Sequence, residues 1–151
     1  MNYKNLTAYE IYQKGKNDPD FDYDKGLDAL IEIDKTGKWI HMSGRYWKTF
    51  DYNKGFDDLI SKDKTGQFIY YSGVYWKEFD YDKGLDALIE KNKEGYWVYW
   101  AGSHWKTFDF KKGLKQLLKI KFNYLEEVFK CWKFPKEELS NEEVLEFINL
   151  I

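Results

Sequence analysis

Cysteine is all but missing from this chain: Cys131 stands alone. One thiol excludes an internal disulfide and is too little for a cysteine-built zinc site. Within Val128-Phe129-Lys130-Cys131-Trp132 it reads as a small core residue. Histidine is nearly as scarce, with only His41 and His104, and neither has a partner at metal-ligand spacing. No metal or cofactor is therefore expected. Arginine is represented by Arg45 alone among 24 basic residues. Lysine is a point charge, whereas arginine supplies the planar fork that grips phosphates and guanine edges, so a dedicated sequence reader is not expected. No apolar run approaches the roughly 18 residues of a membrane span. The opening Met-Asn-Tyr-Lys-Asn-Leu-Thr has no apolar signal-peptide core. Cytoplasmic residence without a membrane partner is the expectation.

What the chain does have is aromatic residues, 21 % of 151, and a phrase that recurs every 29 residues. Phe21-Asp22-Tyr23, Phe50-Asp51-Tyr52, Phe79-Asp80-Tyr81 and Phe108-Asp109-Phe110 are in register. Each is followed by Lys-Gly, at 25–26, 54–55, 83–84 and 112–113. A fixed period of this length marks a stacked repeat array. The repeats run over about 7–35, 36–64, 65–93 and 94–122, within a single repeat domain over 1–151.

The first half of each repeat has strand-like composition in places, as in Gln67-Phe68-Ile69-Tyr70-Tyr71, but helical spacing. Ile40, Ser43, Gly44 and Trp47 sit at i, i+3, i+4 and i+7, and Ile69, Ser72, Gly73, Trp76 and Val98, Ala101, Gly102, Trp105 repeat that face. The small residues within the stripe let a neighbour approach closely. Thr7 with Glu10 forms a capping box, and Thr36 and Thr65 suit the N-cap of later copies. In the second half Asp22, Asp51, Asp80 and Asp109 are N-cap residues. Leu27, Leu30 and Ile31 begin an apolar face that recurs in the next repeats. An early glycine in each of these helices costs about 1 kcal/mol against alanine, which implies close contact there. Beyond residue 122 the pattern breaks. A helix is expected over 122–133 and another over 141–150, started by Ser140 and Glu143 with Leu139 and Val144 as a staple. Residues 122–151 read as a C-terminal helical cap. The fold class expected is all-α: an α-solenoid of about four 29-residue helix-turn-helix repeats with that cap.

The tract Lys62-Asp63-Lys64-Thr65-Gly66-Gln67-Phe68-Ile69-Tyr70-Tyr71-Ser72-Gly73 with Trp76, and its copies at 33–47 and 91–105, resembles the short HEAT-like helical repeats of phage, large-virus and bacterial proteins. The resemblance implies an α-solenoid over about 7–120. Some HEAT-like solenoids are DNA glycosylases, which implies a reading in which Trp97 and Trp100 near Asp86 hold a base.

The residues themselves offer no catalytic constellation, so the chain is not expected to be an enzyme. The glycines recur at repeat spacing and form no phosphate-binding loop. Asp57 and Asp58, with Asp28 and Asp86, read as a solvated helix face. Three columns carry aromatic residues beyond the core stripe: Tyr12, His41, Tyr70, Tyr99; Gln13, Met42, Tyr71, Trp100; and Asn17, Tyr46, Tyr75, His104. His41 reads as a surface substitute for tyrosine. All three columns cannot face inward at once. His41, Tyr46, Tyr70, Tyr71, Tyr75, Tyr99, Trp100 and His104 are therefore the candidate partner-binding residues. Lys111, Lys112, Lys115, Lys119 and Lys121, with no acid between them, are candidate phosphate contacts. The leading expectation is a non-enzymatic protein-binding module, fitting a phage or mobile-element inhibitor of a host defence protein such as a CRISPR effector nuclease. The alternative is a nucleic-acid binder using the lysine cluster. Self-association through the aromatic surface is a further reading.

Overall fold

A computed structural model describes residues 2–133. Every regular element among them is helical. Two compact units divide the chain, one up to Phe79 and one from Asp80. The first holds α1 (Ala8–Asn17), α2 (Tyr23–Ile33), α3 (Lys38–Tyr46), α4 (Tyr52–Lys62) and α5 (Gln67–Tyr75). The second holds α6 (Tyr81–Lys91), α7 (Tyr96–His104), α8 (Phe110–Lys119) and α9 (Leu125–Cys131). Within the first unit each helix packs on the next and on the one after it, as α1 does on α2 and α3, and α3 on α4 and α5. In the second, α6, α7 and α8 pack on one another in the same way. This nearest-neighbour packing at a 29-residue period is that of an all-α helical-repeat solenoid.

The helix starts follow two chemistries. Thr7 caps α1 through the expected reciprocal box, its hydroxyl accepting from the Glu10 N–H while Glu10 accepts from the Thr7 N–H. Asp22, Asp51, Asp80 and Asp109 cap the second helix of each repeat, each accepting from the backbone N–H three residues on. For α3 and α5 the expected N-caps Thr36 and Thr65 give way to Gly37 and Gly66, which hold φ of 86° and 91°. That left-handed backbone is open to glycine without steric cost. The two threonine hydroxyls each still accept one helix-start N–H, from Lys38 and Gln67 at 3.3 Å, but the larger share goes to an aspartate further back. Asp34 is buried, and its carboxylate accepts from the N–H groups of Thr36, Gly37, Trp39 and Ile40 at 2.8–3.2 Å. Asp63 does the same for Thr65, Gly66 and Ile69. In the second unit Asn92 takes the position and accepts from Trp97 N–H at 2.7 Å. A carboxylate among helix-start N–H groups also meets the positive end of the helix dipole.

The core is an aliphatic line edged by tryptophans. Ile11, Leu30, Ile40, Leu59 and Ile69 are fully buried in the first unit, as are Leu88, Val98, Leu117 and Val128 in the second. The first-half glycines receive an indole, not a helix backbone. A Cβ on Gly15 would lie 2.3 Å from Trp47, on Gly44 2.4 Å from Trp76, and on Gly102 2.3 Å from Trp132. Each indole N–H then donates to a backbone carbonyl of the preceding repeat: Trp47 to Tyr12, Trp76 to His41 and Trp132 to Tyr99, at 2.9–3.0 Å. The second-half glycines lie under a phenylalanine of their own repeat, with Phe21, Phe50 and Phe108 at 2.2–2.6 Å from a Cβ on Gly26, Gly55 and Gly113.

Trp132 therefore occupies the tryptophan position of a further repeat, although it follows Trp105 by 27 residues and not 29. The helix expected over 122–133 is the shorter α9, and it continues the repeat chemistry as well as following it. The helix expected over 141–150, with its Ser140, Glu143, Leu139 and Val144 signals, lies outside the described residues.

Candidate functional site

The three aromatic columns separate by depth. Tyr12, His41 and Tyr70 are buried, at 3 %, 4 % and 8 % exposure, so His41 and Tyr70 are not the surface residues the sequence suggested. The reason is visible in the first unit, where these side chains point into the seam between successive repeats. Tyr12 packs on Trp39 with ring centroids 5.3 Å apart. His41 stacks on Phe68 at 6.1 Å and lies near Tyr71 and Tyr75. Its Nδ1 shares a 2.8 Å hydrogen bond with the Ser72 hydroxyl. Burial, aided by the charge of Arg45, lowers the His41 pKa to about 4, so the ring is neutral at pH 7.

The third column is the outward one. Tyr46 and Tyr75 are 42 % and 44 % exposed on the last turns of α3 and α5. Arg45 lies against both, its guanidinium carbon 3.5 Å from the Tyr75 ring centroid and 4.9 Å from that of Tyr46. Lys16 stands 5.1 Å from the Tyr46 ring. Tyr71, in the middle column, is half-buried and stacks on Tyr75 at 6.4 Å and 18°. The structure thus gathers Tyr46, Tyr71 and Tyr75 into one cluster around an arginine. Tyr9, half exposed and set edge-on to Trp39 at 5.3 Å, extends the aromatic surface of this unit. Sequence reasoning missed it, although its column (Tyr9, Lys38, Gln67, Tyr96) carries a second tyrosine that is also exposed.

In the second unit Tyr99, Trp100 and His104 come together on α7. Trp100 is 41 % exposed and stacks on His104 at 5.4 Å and 18°. The His104 Nδ1 is 3.0 Å from the Trp100 carbonyl oxygen. Tyr99 is half-buried and packs on Phe122. Its hydroxyl donates to Cys131 Sγ at 3.3 Å, and that contact is the main cause that pushes its pKa up to about 12. Cys131 is exposed, contrary to its reading as a core residue, because the inward position on this segment belongs to Trp132. Tyr96 and Tyr124, also exposed, join this patch with rings 6.0 Å apart.

The lysine cluster lies largely on one side of α8. At about 100° per residue, Lys111, Lys115, Lys119 and Lys112 fall within one arc, and all four are exposed, as is Lys121 beyond the helix. Lys112 is paired with Asp86 of the preceding helix pair, the relation that Lys54 has to Asp28 in the first unit. Asp57 is exposed, as a solvated face requires, but the Asp58 side chain is largely buried and forms an ion pair with Lys62 at 2.9 Å. The Lys62 ammonium also donates to the Ile31 carbonyl, tying two repeats together.

Among the described residues no group of three or more His, Cys, Asp and Glu is placed to hold a metal ion. No helix among them is long and apolar enough to cross a membrane. No family model matches the chain, and no curated protein or solved structure matches it.

Proposed function

We propose that this chain is a non-enzymatic protein-binding module of the HEAT-like helical-repeat kind, docking its partner on the exposed tyrosines of α3 and α5. The observation that carries this reading is the Tyr46–Arg45–Tyr75 cluster. Tyrosine and arginine are the side chains in which interface energy concentrates. Here they are held against one another before any partner arrives, which lowers the ordering cost of binding. The finer reading, an inhibitor that binds a host defence protein such as a CRISPR effector nuclease, rests on the chain's small size and on its resemblance to phage and bacterial repeats. Nucleic-acid binding is the second reading, favoured by the exposed lysine row on α8. Phosphate contacts would make such binding fall steeply with salt.

Affinity capture from a bacterial lysate, with and without nuclease, tests the proposal. A Tyr46→Ala/Tyr75→Ala variant, shown to keep its helical circular dichroism, is the control, because both side chains are exposed and neither belongs to the buried core. A protein band that survives nuclease and disappears in the variant is the expected result. A catch that vanishes with nuclease and ignores the two tyrosines would move the function to α8.

A further inference from the structure

The docking reading leaves open what the partner presents to this surface, and Arg45 supplies an answer. It is the only arginine in the chain, half-buried at the end of α3 with both neighbouring tyrosine rings against its guanidinium. An arginine at a protein surface ordinarily finds a carboxylate. Arg45 forms no ion pair with any described residue, and its guanidinium lies against the two rings. The surroundings explain this. Helices α3 and α5 contain no Asp or Glu, and the one acid of α1, Glu10, is engaged by the Thr7 N–H. Cations do line these helices, with Lys38 lying 4.8 Å from the Trp39 ring and Lys16 beside Tyr46. Asp18 lines the same cavity as Lys16 and Tyr46, but its carboxylate accepts from the Asp20 N–H, and the exposed acids of the helices in this unit sit mainly on α2 and α4, as with Asp24, Asp28 and Asp57. A ring contact uses none of the guanidinium's N–H donors, which stay in a fork that matches a carboxylate.

We propose that the Arg45–Tyr46–Tyr75 cluster is a carboxylate-recognition point, and that the partner is an acidic protein segment. One Asp or Glu of that segment takes the Arg45 fork in a bidentate pair, and its flanking residues lie on the two tyrosine rings. This rests on the protein-binding reading above. A nucleic-acid strand presents a run of phosphates and calls for a track of cations. At this cluster the guanidinium is joined by Lys16 beside Tyr46, two cations set among rings, and the longer exposed lysine row is on α8, in the other unit.

The lone arginine makes the test direct, since its Nε–Hε signal in a ¹⁵N spectrum belongs to no other residue. The probes are a short Glu-Gly repeat peptide, inorganic phosphate and an oligothymidylate, each titrated into the full chain. A saturable shift of the Arg45 signal with the acidic peptide, together with shifts of the Tyr46 and Tyr75 rings, is expected. Arg45→Lys keeps the charge but loses the fork, and should weaken the peptide about tenfold. The inference is overturned if the peptide leaves the Arg45 signal in place. It is also overturned if phosphate or the oligonucleotide moves the signal at lower concentration, or if the signal moves with protein concentration alone, which would assign the surface to a second copy. Failure of the peptide while the nuclease-resistant band is still lost in the tyrosine variant would remove the carboxylate and keep the docking surface. Absence of that band as well would remove both.

Discussion

At the position where the other repeats carry Tyr12, Tyr70 and Tyr99, the second repeat carries His41. The sequence showed the substitution but not its depth, because a tyrosine column on a helix reads equally well as seam or surface. Depth is decided by which way the next repeat leans, and that is a tertiary fact. Once buried, the imidazole becomes a source of pH dependence. Its folded pKa of about 4 lies below the ordinary value of 6.5. Below pH 6.5 the unfolded chain therefore takes up a proton that the folded chain refuses. The stability from neutral His41 is complete above pH 6.5 and drains away as the pH falls toward 4, by roughly 3 kcal/mol in full. Asn in place of His41 keeps a polar atom near Ser72 and cannot titrate. Denaturant unfolding of wild type and His41→Asn between pH 7 and pH 4 should show the wild type losing more stability, with common carboxylate effects cancelling in the difference. Parallel curves would mean that the ring is protonated in the folded state.

At the scale of the element, the helices were legible and two of their starts were misassigned. The spacing of Ile40, Ser43, Gly44 and Trp47 names a helix face, and α3 presents it inward. The second-helix caps at Asp22, Asp51, Asp80 and Asp109 were equally legible, since an N-cap acts within one turn. The Lys-Thr-Gly turn was harder. Its acceptor, Asp34 or Asp63, precedes the helix by several residues and reaches it only because Gly37 or Gly66 turns the chain through a left-handed conformation. That arrangement makes one carboxylate responsible for most of a turn. Asp63→Ala strands several buried N–H groups at once and should cost about 2–4 kcal/mol, more than a typical N-cap loss of about 1. Asp63→Asn keeps an acceptor, as Asn92 does at the equivalent turn, and should cost less than half as much. Chemical denaturation of the two variants checks the order. Equal losses would show that the turn needs the charge and not the acceptor.

For the whole molecule, a repeat fold has no central core, and stability is handed from each repeat to its neighbours. The tryptophan column is the device that does this. It fills the glycine notch of the preceding repeat and bonds a carbonyl there, which explains why glycine and tryptophan recur together. The sequence showed both columns but placed the end of the pattern too early, because the spacing slips by two residues before Trp132. By its notch in Gly102 and its bond to Tyr99, Trp132 closes a seam of the second unit as Trp76 closes one of the first. Removing a buried indole of this kind costs about 3–5 kcal/mol. In Trp132→Ala that loss should fall on the helices the indole touches. Amide hydrogen exchange is expected to speed up across α7 and α8 while α1 to α3 keep their wild-type protection, since nearest-neighbour coupling fades along an array. A uniform rise in exchange across both units would instead show that the chain unfolds as one cooperative body. The seams would then act as a single network, and the repeat-by-repeat account of stability would fail.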